Sequence, residues 1–155
     1  MRHARDLAGD LPVAAKGSLT RVAALVVVAL RGWNAGGPGQ AMAVLHEHMS
    51  APRAGAAMAA LCELAGVLGA HRRRPLACHA PHCARLGADE AGFARFVACA
   101  ALGEREAALL AAGLFVEGRA ILSLTDAAAR FGLHLHRATL HAHGAPAKRC
   151  RAVLH

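Results

Sequence analysis

The sequence predicts an all-α protein: a single compact bundle of about six helices, with a loose N-terminal arm and a C-terminal tail. Three observations predict it. Apolar residues recur at 3.6-residue spacing in one segment after another. Each segment is bounded by Gly, Pro or a capping hydroxyl, the residues at which helices start and stop. The composition is 55% hydrophobic but only 3% aromatic, with no tyrosine. The core must therefore be built mainly from Ala, Leu and Val, with a few Phe and Met, and alanine-lined helices can approach closely. A chain of 155 residues suits one domain with a sizeable core. No repeat or long linker divides it. The organisation read from the sequence is an arm over residues 1–17, a helical domain over 18–136 and a basic, histidine-containing tail over 137–155.

The arm mixes charge, Gly and Pro. Ser18 or Thr20 is placed to cap a first helix. Leu19, Val22, Leu25, Val26, Ala29, Leu30 and Trp33 share one face of it. Val27 and Val28 lie off that face, so the helix is expected to be buried on more than one side. "NAGGPG" (34–39) stops it. Pro38 can open a second helix, where its missing N–H costs nothing, and Met42, Leu45 and Met49 form that helix's stripe. Ser50 and Pro52 start a third helix, with Met58, Leu61, Cys62, Ala65 and Leu68 on its buried face and Gly69 as its stop. Leu25 and Leu61 are expected to be core residues. Asp89 and Glu90 stand in the first turn of a fourth helix, where carboxylates complement the dipole. Phe93, Phe96, Val97 and Ala100 carry it to Gly103. A fifth runs from Glu104 to about Val116, and a sixth from Ala120 to Phe131, closed by Gly132. "LHLH" (133–136) alternates like a short strand.

The net charge is +8, almost all of it arginine; Lys16 and Lys148 are the only lysines. Arg-over-Lys usage beside abundant Ala, Gly and His also follows from a GC-rich coding bias. Basicity attracts nucleic acid or anionic lipid, but single-strand binding wants aromatic platforms, so specific nucleic-acid binding is not expected. A membrane-surface role remains open. The apolar run "VAALVVVAL" (22–30) falls short of the roughly 20 residues that span a bilayer. Asp6 and Asp10 precede it and no small-x-small cleavage site follows, so it reads as a buried helix and not as a signal peptide. The five cysteines, odd in number and without dense spacing, fit a reducing cytoplasm. Cys62 and Cys99 read as small buried hydrophobes; Cys150 lies in the tail.

One stretch concentrates chemistry: "RRRPLACHAPHCARLGADE" (72–90). Cys78 and Cys83 are spaced C-x4-C, with His79 and His82 between them. Thiolate and imidazole are zinc donors, and the spacing is compatible with a tetrahedral site. Both cysteines and one histidine would serve, with a fourth ligand from His71 or His46. No cofactor is certain from the sequence; zinc is the metal this donor set would take. The same atoms also read as a redox pair. Cys83 precedes a helix start, and Arg72, Arg73, Arg74 and Arg85 are near in sequence. Helix N-termini and cations favour thiolate, so Cys83 is expected to be the reactive thiol and Cys78 its resolving partner. Cys62 and Cys99 are expected to react slowly. The plain alternative is a Pro-stiffened surface loop whose polar residues are solvated and cap the next helix.

The 11 histidines add little. His46 and His48, two apart near a helix end, do not share a face. His134 with His136, and His141 with His143, would face the same way if extended, and copper or nickel would suit such pairs. Among the acids, most have a surface or first-turn reading; Glu63 is the one expected to be buried. There is no GxSxG elbow, P-loop or dinucleotide fingerprint. "GGPG" is a turn, since no strand precedes it. No motif identifies a catalytic residue or a small-molecule ligand.

The order of these features resembles a family of small bacterial all-helical proteins of unknown function. The stretches that carry the resemblance are "RGWNAGG" (31–37) and "APHCARLGADE" (80–90), a Pro-Cys-rich knot before a Met/Leu–x–Ala–Asp–Glu helix start. Here His82 stands where a denser cysteine cluster would have another cysteine. The resemblance implies an all-helical fold and no activity. The functional expectation is a non-enzymatic cytoplasmic helical module that acts through protein contacts or self-association. The alternatives are a thiol-based redox sensor using Cys83 and Cys78, and a peripheral membrane protein.

Overall fold

The computed structural model describes residues 12–15 and 19–144. The fold is all-α around five helices: α1 (Arg21–His48), α2 (Ala51–His71), α3 (Ala88–Ala101), α4 (Arg105–Phe115) and α5 (Ile121–Gly144). A 3-10 turn, Gly118–Ala120, leads into α5. Two short strands, β1 (Pro12–Ala15) and β2 (Arg85–Gly87), pair antiparallel, with Pro12 opposite Gly87 and Ala15 opposite Arg85. The arm expected to be loose is thus extended and paired over residues 12–15. The Ser18 cap, Cys150 and the tail beyond residue 144 lie outside the described residues.

Among the described residues the helix count is one below the six expected, because the stop at residues 34–39 is a break within α1. Gly36 and Gly37 leave helical geometry, Gly37 at φ 68, in the left-handed region that favours glycine. The two halves of α1 then close on each other. A Cβ on Gly32 would stand 3.1 Å from the Ala41 Cα, so glycine is needed for that approach. Thr20 caps α1 by accepting from the Ala23 N–H at 3.3 Å. Ser50 takes the N-cap place of α2, with proline following in the first turn. Gly69 does not end α2, which continues to His71; Gly103, at φ 78, does mark the end of α3.

The largest departure is at the C-terminal side. Gly132 was expected to close the last helix, yet α5 runs through it to Gly144. Its role is contact. A Cβ at Gly132 would lie 2.6 Å from the Ala101 Cβ and 3.0 Å from the Val97 carbonyl, so α5 reaches α3 at backbone distance there. The "LHLH" stretch is helical for the same reason as its neighbours. Leu124, Ala128, Phe131, Leu135 and Ala138 are all buried and fall on one helical stripe.

Leu25 and Leu61 are core residues as expected, joined by Val26, Val27, Ala29, Leu64 and Val97. Phe93, Phe96 and Phe115 form an aromatic cluster, with Phe93 edge-on to Phe115 at 5.4 Å between centroids. Cys62 is exposed, as is Glu63, correcting two expected burials. Residue 61 carries the α2 core face, and the next two positions rotate onto the outer side.

Candidate functional site

The loop between α2 and α3 carries the residues singled out by the sequence, and its order comes from charges that the sequence pattern did not place. Arg31, on α1, is 1% exposed. It donates five hydrogen bonds. Nε and Nη2 bind the two Glu90 carboxylate oxygens at 2.6 and 2.9 Å; the remaining donors reach the carbonyls of Cys83 at 2.7 Å, Arg85 at 2.6 Å and Ala80 at 3.3 Å. A guanidinium has five N–H donors, so each finds an acceptor. Glu90 is equally occupied. Besides Arg31 it accepts from the backbone N–H of His79 at 3.1 Å and of Gly87 at 2.9 Å. The Gly87 bond is the half of a capping box that a glycine N-cap leaves available.

Asp89 holds the upstream end of the loop. Arg74 binds both of its oxygens at 2.6 Å, and the Ala77 N–H donates to it at 2.8 Å. Asp89 and Glu90 were expected on the surface of a first turn; both are buried. Their neighbours account for it. Burial raises the carboxyl pKa of each, but the hydrogen bonds from Arg74 and Ala77, and from Arg31, Gly87 and His79, outweigh it and hold both below the usual carboxylate range. Glu90 in turn keeps the Arg31 guanidinium protonated. The arginine triplet divides. Arg74 serves Asp89, and Arg73 caps the end of α4 by donating from Nε to the Gly113 and Val116 carbonyls at 2.8 and 3.0 Å. Arg72 is exposed; its backbone pairs with Val116.

Around this framework Cys78, His79 and Cys83 are half-buried and His82 is exposed. Arg31 reaches this stretch through the Cys83 backbone carbonyl, which accepts from it at 2.7 Å. Among the described residues, no three or more His, Cys, Asp or Glu side chains gather as a group that could hold a metal ion. The expected zinc donors Cys78, His79, His82 and Cys83 all stand in the loop between α2 and α3. His82 lines a groove of about 500 Å³ that also includes Glu47 and His48, while His71 faces Glu117 at 3.9 Å. His134 and His136 lie on helix α5, where residues two apart diverge; the extended pairing expected of them is not formed. His141 has its ring nitrogen 2.8 Å from the Arg137 carbonyl, and the side chain of His143 lies outside the described residues.

Of the remaining thiols, Cys99 is half-buried; burial and the neighbouring Glu104 carboxylate push its pKa up. Cys62 is open to solvent, so its slow reaction no longer follows from burial. Among the described residues one helix, Ala51–His71, is long and apolar enough to cross a membrane by length and composition.

Sequence reasoning missed Arg31, which read as a charge bracketing an apolar run. No local signal marked it, because its partner Glu90 stands 59 residues away. No family model, curated protein or solved structure matches the chain, so the resemblance noted in its sequence has no family match behind it.

Proposed function

We propose that this chain is a non-enzymatic helical module that acts through protein contacts in the cytoplasm. The observation that carries the reading is the outer side of α4. Leu110 and Leu114, one turn apart, are each 73% exposed, while Ala108, Ala112 and Phe115 fill the inner side. A helix apolar on both sides normally has a partner on both, and contiguous exposed apolar surface marks interaction sites. The loop's charged centre supports the same view from the other direction. With the Arg31 donors and the Glu90 oxygens taken up internally, that centre is built to hold a loop in shape.

The test is a photo-cross-linking amino acid placed at position 110 in the producing cell, with position 59, an exposed alanine on α2, as control. Adducts at 110 and none at 59 are expected. Their mass separates a second copy of this chain from another protein. No adduct at 110 removes the reading.

A second reading rests on the two half-buried thiols, Cys78 and Cys83, of the loop that Arg31 holds. Oxidation by a peroxide would join the Cys78 and Cys83 sulfurs, each thiol losing its hydrogen and the peroxide leaving as two waters. Peptide mass spectrometry after mild peroxide treatment checks it. A 78–83 disulfide formed ahead of any modification at exposed Cys62 supports a sensor, and the reverse order sinks it.

A further inference from the structure

Behind the charged loop, between α1 and α2, lies a cavity of about 180 Å³. Buried Leu64 and Phe93 line its depth, and half-buried Leu30, Trp33 and Leu68 lead to its opening. The space exists because α2 presents Ala65 and Gly69 to it, one turn apart. A Cβ on Gly69 would meet nothing within 4 Å. The polar groups are confined to the rim: Asn34 and Arg72, both exposed, with Cys78 in the adjoining wall.

Arg72 differs from its two neighbours. Arg73 caps α4 and Arg74 grips Asp89, whereas the Arg72 guanidinium makes no hydrogen bond or ion pair among the described residues. An apolar recess with a few polar groups at its mouth is the usual form of a small-molecule site. A cation left at that mouth selects an anion. The net charge of +8 favours the approach of one.

We propose that this cavity binds a small apolar molecule carrying one anionic group, of the class of medium-chain monocarboxylates. The apolar part enters between Trp33 and Leu68, and the carboxylate stays at the rim and meets Arg72. Cavities of about 150 Å³ lined by Leu and Phe hold a single benzene ring, so this one accommodates about six to eight carbons. This site goes beyond the protein-contact reading and does not depend on it, because the α4 leucines take no part in its lining.

Trp33 is the one tryptophan in the sequence, and it stands in the cavity wall, so its emission reports on this place alone. Titration of the full chain with octanoate should shift that emission saturably. Octanol, with the same chain and no charge, should bind at least about fivefold more weakly, and acetate should produce no shift. Arg72→Ala should bring octanoate down to the level of octanol and leave octanol unchanged. Gly69→Leu fills the recess from a position with room for a side chain, so it should keep the helical circular dichroism and abolish the response. The proposal is overturned if wild-type emission does not respond to octanoate, if octanol binds as well as octanoate, or if a folded Gly69→Leu responds like wild type.

Discussion

Among the described residues, two arginine–glutamate pairs tie helices together, and they differ in almost everything except residue type. Arg31–Glu90 joins α1 to α3 with both side chains 0% exposed. Arg130–Glu63 joins α5 to α2 with side chains 54% and 57% exposed. The buried pair sits inside a shell of backbone groups: three carbonyls accept from Arg31 and two N–H groups donate to Glu90. The surface pair has water for a shell. Desolvation makes a buried pair costly to assemble and costlier to break, whereas an exposed pair trades one solvated state for another. The buried pair is therefore a fixed point of the fold, around which the cysteine-containing loop is wrapped.

Breaking the comparison at its strong end gives the largest expected effect. Arg31→Met leaves the Glu90 carboxylate buried without its cation and three loop carbonyls without their donor. A loss of about 3–5 kcal/mol is expected, measured by denaturant unfolding against wild type. Replacing both partners, Arg31→Met with Glu90→Leu, should recover part of that loss, because no uncompensated charge remains. A single variant that unfolds at the wild-type midpoint would show that the loop holds its shape without the pair.

The two buried carboxylates of the loop predict how stability changes with acid. The carboxyl groups of Glu90 and Asp89 are depressed in the folded state. Their contribution is fully present above the unfolded values, about 4.3 and 3.9. It is lost as pH falls through the lower folded values, since the unfolded chain then binds protons the folded one refuses. Thermal melts should therefore be flat from neutral pH to about 5 and drop below it. Glu90→Gln should flatten that drop while lowering stability at pH 7. An unchanged acid slope in Glu90→Gln would place the acid sensitivity elsewhere.

Much of the fold was legible in the sequence, and the parts that were not share a cause. Stripes such as Leu25–Val26–Ala29 announced helices because burial repeats with the helical period. Gly132 was misread because a glycine that ends a helix and one that lets another helix touch it look alike in one sequence. The continuing stripe through Leu135 and Ala138 was the deciding signal, and the alternation of "LHLH" masked it. Arg31 was hidden for a different reason. Its partner stands 59 residues away, and no local pattern tells a buried arginine from a flanking one. The position of the cysteine loop before an acidic helix start was legible; that its acids point inward was not. Cys62 and Glu63 were misplaced by one helical face, an error that a stripe rich in alanine invites because so many positions are apolar.

Gly132 also tests what holds the other end of α3, where the comparison changes from charge to contact. Gly132→Ala places a methyl 2.6 Å from the Ala101 Cβ, so α5 must move away from α3. Overpacking of this kind costs about 1–3 kcal/mol, against the roughly 1 kcal/mol that alanine gains over glycine inside a helix. A net loss of stability is expected by thermal melt. A net gain would mean that the helices separate freely and that the close approach is incidental.

The smallest effect is expected at the surface pair, and it sharpens the comparison because the residue types are the same. Glu63→Gln removes the charge from a carboxylate more than half exposed and leaves Arg130 free to turn to water. Pairs of this kind are worth about 0.2–1 kcal/mol. Salt should erase even that, since screening at physiological ionic strength acts over about 8 Å and reaches an exposed pair fully. Unfolding of Glu63→Gln and wild type should differ by less than about 1 kcal/mol at low salt and coincide at high salt. The Arg31→Met deficit should persist at both, because the low-dielectric shell around Glu90 admits no counterions. If the Glu63→Gln deficit instead matched the buried one, or survived high salt, exposure would not be what separates the two pairs, and the α2–α5 contact would be a second fixed point of the bundle.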